Sequence, residues 1–584
     1  MRRIPGIGAL ARTSLLAFLL CIGSLGAAFP QARALVESAP PATVTPPAVV
    51  ARHGMVVAQE ARAARIGAEI LERGGNAVDA AVATGFALAV TYPRAGNIGG
   101  GGYMVIHLAQ GADTTIDYRE TAPAAITRET FLDDKGEADP AKSRDSALAV
   151  GVPGTVAGLA LAHASYGSGR FTLAELLAPA IALARAGFPI ADDLADSLPL
   201  SQQRLRHWAS SARIFFHDDG RLLGGGDLLV QGDLADTLAS IARDGPAAFY
   251  EGAVAEKIAD AVRQAGGVMT VEDLRAYRPI ERAPLRGSYR GYDVVAMPPS
   301  SSGGVVLLEM LNILEGYQHL AADEALRLHL AIEAMKLAYA DRAAFLGDPA
   351  IVAAPLGRLL SKSYAAELRR HIDPEHARPA ADIRAITERA REGNNTTHFS
   401  VVDRFGNAVA NTTTLNFSYG VGLVADGTGV LLNNELDDFA AKPDTPNAYG
   451  LTGGEANAPG PAKRPLSSMS PTILLKQGLP FLVTGSPGGS RIITTVLQVI
   501  CNVIDRGLPI AEAVAAPRLH NQWLPDEVMV ERRLSPDLID ALEARGHHVV
   551  PAPPGTSANS ILVTPQGFAG AADPRTHGAL AAGY

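Results

Sequence analysis

The stretch Asn394-Asn395-Thr396-Thr397-His398-Phe399-Ser400-Val401-Val402 decides how this chain folds. A polar run, Arg389 to Gly393, meets a threonine that opens an alternating pattern. Thr396, His398 and Ser400 face one way; Thr397, Phe399 and Val401 face the other, the period of a strand. Asp403 to Asn407 is a turn, and Ala408 to Asn416 is a second strand rich in Val and Thr. With the turn centred near Phe405, facing residues have numbers summing to about 810, which sets Thr396 opposite Thr414. Asn416, two residues on, shares that face. A slip of one residue would undo the pairing. The hairpin gathers two hydroxyls and an amide at a strand mouth. It fits equally a threonine-rich strand tied by cross-strand hydroxyl bonds.

Working outward, 584 residues give a prior of two to four domain-sized units. With 47% hydrophobic and 19% charged residues the chain is globular rather than disordered. The net charge of −9 and the lack of a basic cluster beyond the N-terminus argue against nucleic acid. Residues 1–34 read as an export signal. Arg2 and Arg3 precede an apolar run from Ser14 to Ala28, and small residues follow at Ala27-Ala28 and Ala32-Arg33-Ala34, so cleavage is expected near 28 or 34. The run is short for a membrane span. Removing 1–34 deletes Arg2, Arg3, Arg12 and Arg33 and no acid, taking the charge from −9 to −13. The expected location is the periplasm or outside the cell, with no membrane attachment. Cys21 leaves with the signal, and Cys501 alone permits neither an internal disulfide nor a multi-cysteine metal site.

Further along, Asn76 caps a helix over Ala77–Val90 that is apolar on most sides and therefore buried. Two strands, Tyr103–Leu108 and Thr114–Tyr118, end at Arg119-Glu120. An arginine there is ordinarily solvated or ion-paired, and is also the side chain best shaped for a carboxylate. The acidic run Asn433–Phe439 suits an amine or a metal, or is simply a charged turn. Lys442–Lys463, with Tyr449, reads as a long mobile loop. In Thr484-Gly485-Ser486-Pro487-Gly488-Gly489-Ser490 a strand turns into the helix Arg491–Ile504. Backbone N–H groups left unpaired at such a turn bind anions and can hold an oxyanion, although the turn also serves as a plain connection. The histidines, His398 and His547-His548 among them, show no metal-ligand spacing.

Thr396 to Asp403 resembles the start of the small subunit of γ-glutamyltransferases, members of the N-terminal nucleophile hydrolase superfamily. The resemblance extends through Gly74–Ala81, Gly96–Gly102, Asp117–Glu120, Thr414–Asn416, Asn433–Phe439, Arg464–Pro471 and Thr484–Arg491. It implies an α+β fold, a four-layer αββα sandwich built jointly by a large subunit (35–395) and a small one (396–584) that stay associated after self-cleavage between Asn395 and Thr396. It implies Thr396 as nucleophile, Thr414 as its hydrogen-bond partner, and Gly488 and Gly489 as oxyanion donors. Arg119, Ser467 and Ser468 match residues that hold a substrate α-carboxylate; Asn416, Glu435 and Asp438 match those that hold its α-ammonium. Position 435 is Glu where well-known bacterial members have Gln. The loop with Tyr449 resembles a lid over the bound glutamyl group, favouring small donors. The implied partners are glutathione and related γ-glutamyl compounds, with water, an amino acid or a dipeptide as acceptor; no cofactor and no metal are implied. Two alternatives are a glutaryl or cephalosporin-type acylase, whose donor would leave Glu435 and Asp438 without a task, and an inactive periplasmic binding protein.

Overall fold

Fourteen strands build two antiparallel sheets. In chain order they are β1 (Val49–Ala51), β2 (Gly54–Ala58), β3 (Gly101–His107), β4 (Asp113–Tyr118), β5 (Ile280–Arg282), β6 (Leu285–Tyr289) and β7 (Tyr292–Ala296). There follow β8 (Thr397–Asp403), β9 (Ala408–Thr414), β10 (Thr472–Lys476), β11 (Leu479–Thr484), β12 (Ser560–Thr564), β13 (Gly567–Ala571) and β14 (Leu580–Gly583). One sheet has the order β14-β2-β8-β9-β3-β4-β5; the other has β1-β13-β12-β11-β10-β7-β6. This computed structural model describes residues 45–318, 322–383, 396–443, 445–553 and 555–584. The signal at 1–34, the polar run Arg389 to Gly393 and the Asn395–Thr396 bond lie outside the described residues.

The register of the central hairpin follows from its turn. Thr397 lies opposite Thr413 and Phe399 opposite Asn411, the pairing that a turn centred near Phe405 demands. Alternation then sorts the side chains. Phe399, Val401 and Val409 pack outward under the helix Ala77–Thr91. Val402, Ala408 and Ala410 point inward, against Ile473, Val483 and Ile561 of the second sheet. Each such buried Val, Leu or Ile contributes about 1.5–3 kcal/mol relative to exposure. The helix Ala77–Thr91 is buried at every position, as its all-round apolar sequence requires, and Asn76 begins it with a capping box to Asp79. On the other side, the helices Gly303–Glu315, Glu324–Phe345 and Arg491–Ile504 cover the second sheet through Val305, Met335 and Val496. Helix, sheet, sheet, helix is the αββα sandwich.

Two expectations change. Length alone allowed two to four units, yet Val44–Tyr584 forms one compact unit. The extra chain thickens the helical layers, each with its own apolar core, instead of founding a separate domain. Residues 35–50, whose Pro/Ala/Val-rich composition reads as a loose lead-in, are also not loose at their end, because Val49–Ala51 is an edge strand paired to β13. Among the described residues no helix is long and apolar enough to cross a membrane.

Candidate active site

Thr396 precedes β8 and is itself 7% exposed. By the alternation it belongs to the inward face, at the mouth of the space between the sheets. A small cavity opens there. Its wall includes Thr396, Thr414, Asn416, Arg119, Glu435, Asp438, Ser467, Ser468, Tyr449 and Gly489. These are the residues expected from the sequence, apart from Gly488, the neighbour of Gly489 in the turn. They arrive from the ends of β4 and β9, the start of β8, the 3₁₀ turn Glu435–Asp438, the loop before β10 and the turn after β11. Sequence reasoning missed Leu451, Met469, Ser490 and Ile492, which complete the wall. No motif marks Leu451, Met469 and Ile492 as apolar wall residues, whose contribution is shape.

The hydroxyls are oriented by their surroundings. The Asn416 N–H donates to Thr414 Oγ1 at 2.8 Å, so the Thr414 proton is the one it has to give. Asn416 has φ 71°, a left-handed conformation open to Asn, and its amide donates to the Asn434 carbonyl at 2.9 Å. Gly488 and Gly489 have φ 134° and 57°. Glycine tolerates both, and the bend leads into Arg491–Ile504, whose first N–H groups donate back to it, Arg491 to the Gly488 carbonyl at 3.1 Å and Ile492 to the Gly489 carbonyl at 3.2 Å. That helix N-terminus adds a partial positive charge.

The charged residues pair with one another. Arg119 is fully buried and donates to Glu435, to Asp438 Oδ2 at 2.5 Å and to the Pro465 carbonyl at 3.1 Å. Glu120 lies 3.8 Å from the same guanidinium, and neither of its oxygens has a hydrogen-bond partner among the described residues. Burial raises Glu120 to about 8, with Arg119 opposing the rise. Burial also holds Glu435 well above the carboxylate range and Asp438 above it, again opposed by Arg119. The third acid of the run turns away: Asp437 accepts from Ser143 Oγ at 2.6 Å. The acidic stretch is thus neither a metal cage nor a solvated turn.

Glu120 carries a stability prediction. Its folded pKa near 8 exceeds the ordinary 4.5, so it stabilises the fold fully below about pH 4.5 and that contribution is lost as pH rises through about 8. Glu120→Gln keeps the shape without the ionisation. Its melting temperature relative to wild type is expected to climb between pH 5 and pH 9; a flat difference across that range would refute the assignment.

The Lys442–Lys463 loop is packed, not free. Tyr449 is buried, donates to the Asn416 carbonyl at 2.9 Å and to the Asn416 side chain, and stacks on Phe417 at 5.6 Å. Such aromatic pairs contribute about 0.5–1.5 kcal/mol beyond burial. His398 lies in the core between the sheets. Thr412 donates to its Nδ1 at 2.9 Å, and its Nε2 donates to Ser400, whose hydroxyl is committed to the Asn559 carbonyl. Burial lowers its pKa to about 3, so it is neutral. Its ring packs so closely on Gly485 that a Cβ there would fall 2.3 Å from it. One group among the described residues has metal-ligand spacing: His329, Glu333 and His547. It does not line the cavity. Lys336 Nζ, 3.0 Å from Glu333, already supplies the cation, and the two rings hydrogen-bond each other at 2.8 Å.

The gamma-glutamyltranspeptidase family model matches residues 63–583. This chain belongs to the γ-glutamyltranspeptidase family. It is 51% identical over 539 residues to the glutathione hydrolase proenzyme of Escherichia coli, covering 92% of this chain and 93% of that one. A cephalosporin acylase from Bacillus halodurans superposes with TM-score 0.82 at 30% identity, covering 94% of this chain and 98% of its own. A γ-glutamyltranspeptidase from Helicobacter pylori superposes with TM-score 0.55 at 42% identity, covering 59% and 96%. A γ-glutamyltranspeptidase needs a nucleophile beside a subsite for a zwitterion, and this cavity has a hydroxyl beside buried groups of both signs.

Proposed function

We propose that this member of the family is a self-processing γ-glutamyltransferase and glutathione hydrolase that acts through Thr396. One observation carries the reading. A single cavity gathers a threonine at the head of a strand, a Gly-Gly turn at a helix N-terminus, and Arg119 facing Glu435 and Asp438.

Maturation comes first. Thr396 Oγ attacks the Asn395 carbonyl; the C–N bond breaks, the Thr396 amine is released and the Asn395 acyl group moves to the oxygen. Water cleaves that ester, leaving subunits 35–395 and 396–584. The free amine, with a pKa near 8, becomes the base that a weak hydroxyl nucleophile needs. In catalysis Thr396 Oγ attacks the donor γ-carbonyl while Thr414 donates a hydrogen bond to that oxygen. The oxyanion rests on the Gly488 and Gly489 N–H groups. Collapse expels the amine product, which takes the proton, and leaves a γ-glutamyl ester. Water then yields glutamate, or an amino acid or dipeptide yields a new γ-glutamyl amide.

The donor headgroup binds by exchange. Arg119 satisfies Glu435 and Asp438. A zwitterion replaces those pairs: its α-carboxylate takes Arg119, Ser467 and Ser468, and its α-ammonium takes Asn416, Glu435 and Asp438. No buried charge is stranded, which a monopolar donor cannot achieve. This favours γ-glutamyl donors over the glutaryl donors of an acylase, although the acylase shares the fold. Release of aniline from a γ-glutamyl anilide tests the reading. It is expected in water and to quicken with a dipeptide acceptor, while a glutaryl anilide reacts at least about tenfold more slowly. A preference for the glutaryl compound would transfer the enzyme to the acylases.

A further inference from the structure

Arg342 lies behind the serine pair, on the helix Glu324–Phe345, and is almost wholly buried. Among the described residues no carboxylate lies within ion-pair distance of it, whereas Arg119 has three. Its Nε donates to Ser302 Oγ at 2.9 Å, and its Nη2 lies 3.5 Å from Ser468 Oγ. Ser302 in turn holds the loop: its hydroxyl and its N–H both donate to the Ser467 carbonyl, at 2.7 and 2.8 Å. The Ser467 hydroxyl accepts from the Met469 N–H at 3.1 Å. Both cavity serines therefore use an oxygen lone pair on the protein, leaving their protons to donate elsewhere. Arginine keeps its charge when buried, and a buried cation lacking an anion is costly. The charges of Asp438 and Arg119 also act on the Arg342 guanidinium.

We propose that Arg342 is a positioning residue of the donor α-carboxylate subsite. It orients the Ser468 proton toward the carboxylate, holds the Ser467 backbone through Ser302, and supplies a second positive charge that the bound carboxylate offsets. The cavity carries Glu435 and Asp438 against Arg119, and Arg342 adds positive charge on the carboxylate side. The inference rests on the headgroup assignment above.

The test compares two donors, a γ-glutamyl anilide and the same compound with its α-carboxylate converted to a carboxamide. The readout is the ratio of their kcat/KM values. In wild type the acid is preferred; in Arg342→Gln that preference is expected to fall about tenfold or more. Arg342→Lys, which keeps the charge but lacks the fork, should fall between. An unchanged ratio in a variant that matures into two chains overturns the proposal, because a purely structural arginine would weaken both donors alike. Failure of both variants to mature would also overturn it, placing Arg342 in folding. A wild type that cleaves neither donor would defeat the functional assignment instead.

Discussion

Replacing Thr396 with alanine is expected to leave one uncut chain on a denaturing gel and to lower amine release from a γ-glutamyl anilide by at least about 10⁴-fold. The two losses share one atom. In the proposed mechanism Thr396 Oγ both opens the chain and forms the acyl ester. Thr414 faces the same cavity, yet it gains no amine as a base. The amine at residue 396 exists only after cleavage, so an uncut chain is inactive even with the cavity intact. Thr396→Ser keeps a hydroxyl and is expected to cut and to turn over, each more slowly. A wild type that stays uncut and fully active would sink the mechanism, as would an alanine variant that still divides.

Arg119→Gln is expected to lower kcat/KM for γ-glutamyl donors by about 10²- to 10³-fold, the scale of breaking a buried ion pair. The variant loses the fork for the α-carboxylate, and it also strands Glu435 and Asp438. Arg119 opposes the rise in both their pKa values; without it they hold protons to higher pH and grip an ammonium poorly. The residual activity should therefore peak at higher pH than in wild type, where those acids ionise again. Two chains on a gel would separate this from misfolding. A variant with wild-type kcat/KM, or with an unmoved pH profile, would show that Arg119 has no part in the headgroup site.

Local structure was legible because it depends on residues within a few positions. The turn at Asp403–Asn407 set the register of β8 and β9, and Thr397 opposite Thr413 follows from it. Asn76 marked the start of a helix whose apolar faces foretold burial. The Gly-Gly turn ahead of Arg491 was legible as a strand-to-helix turn, and several motifs in order identified the family.

Other features depended on how the sheets close. Arg119 and Asp438 are 319 positions apart, and nothing near either residue reveals that each is the other's counter-ion. Arg342 sits within a helix pattern that reads only as a buried face. The histidines His329 and His547 meet across 218 positions. The loop around Tyr449 looked mobile because its composition is that of a turn; its anchor is Phe417 and Asn416, far from its own ends.

The sequence by itself therefore determined the strands of the central hairpin, their register and the helix cap at Asn76, and it put Thr396 at the head of that hairpin. The tertiary structure decided which charges meet and which carboxyls are lifted into the working pH range. It also decided that one sandwich, not several domains, absorbs this length. The physical reason is range. Periodicity, capping and turn geometry act between neighbours, whereas burial and charge pairing arise only once distant segments exclude water together.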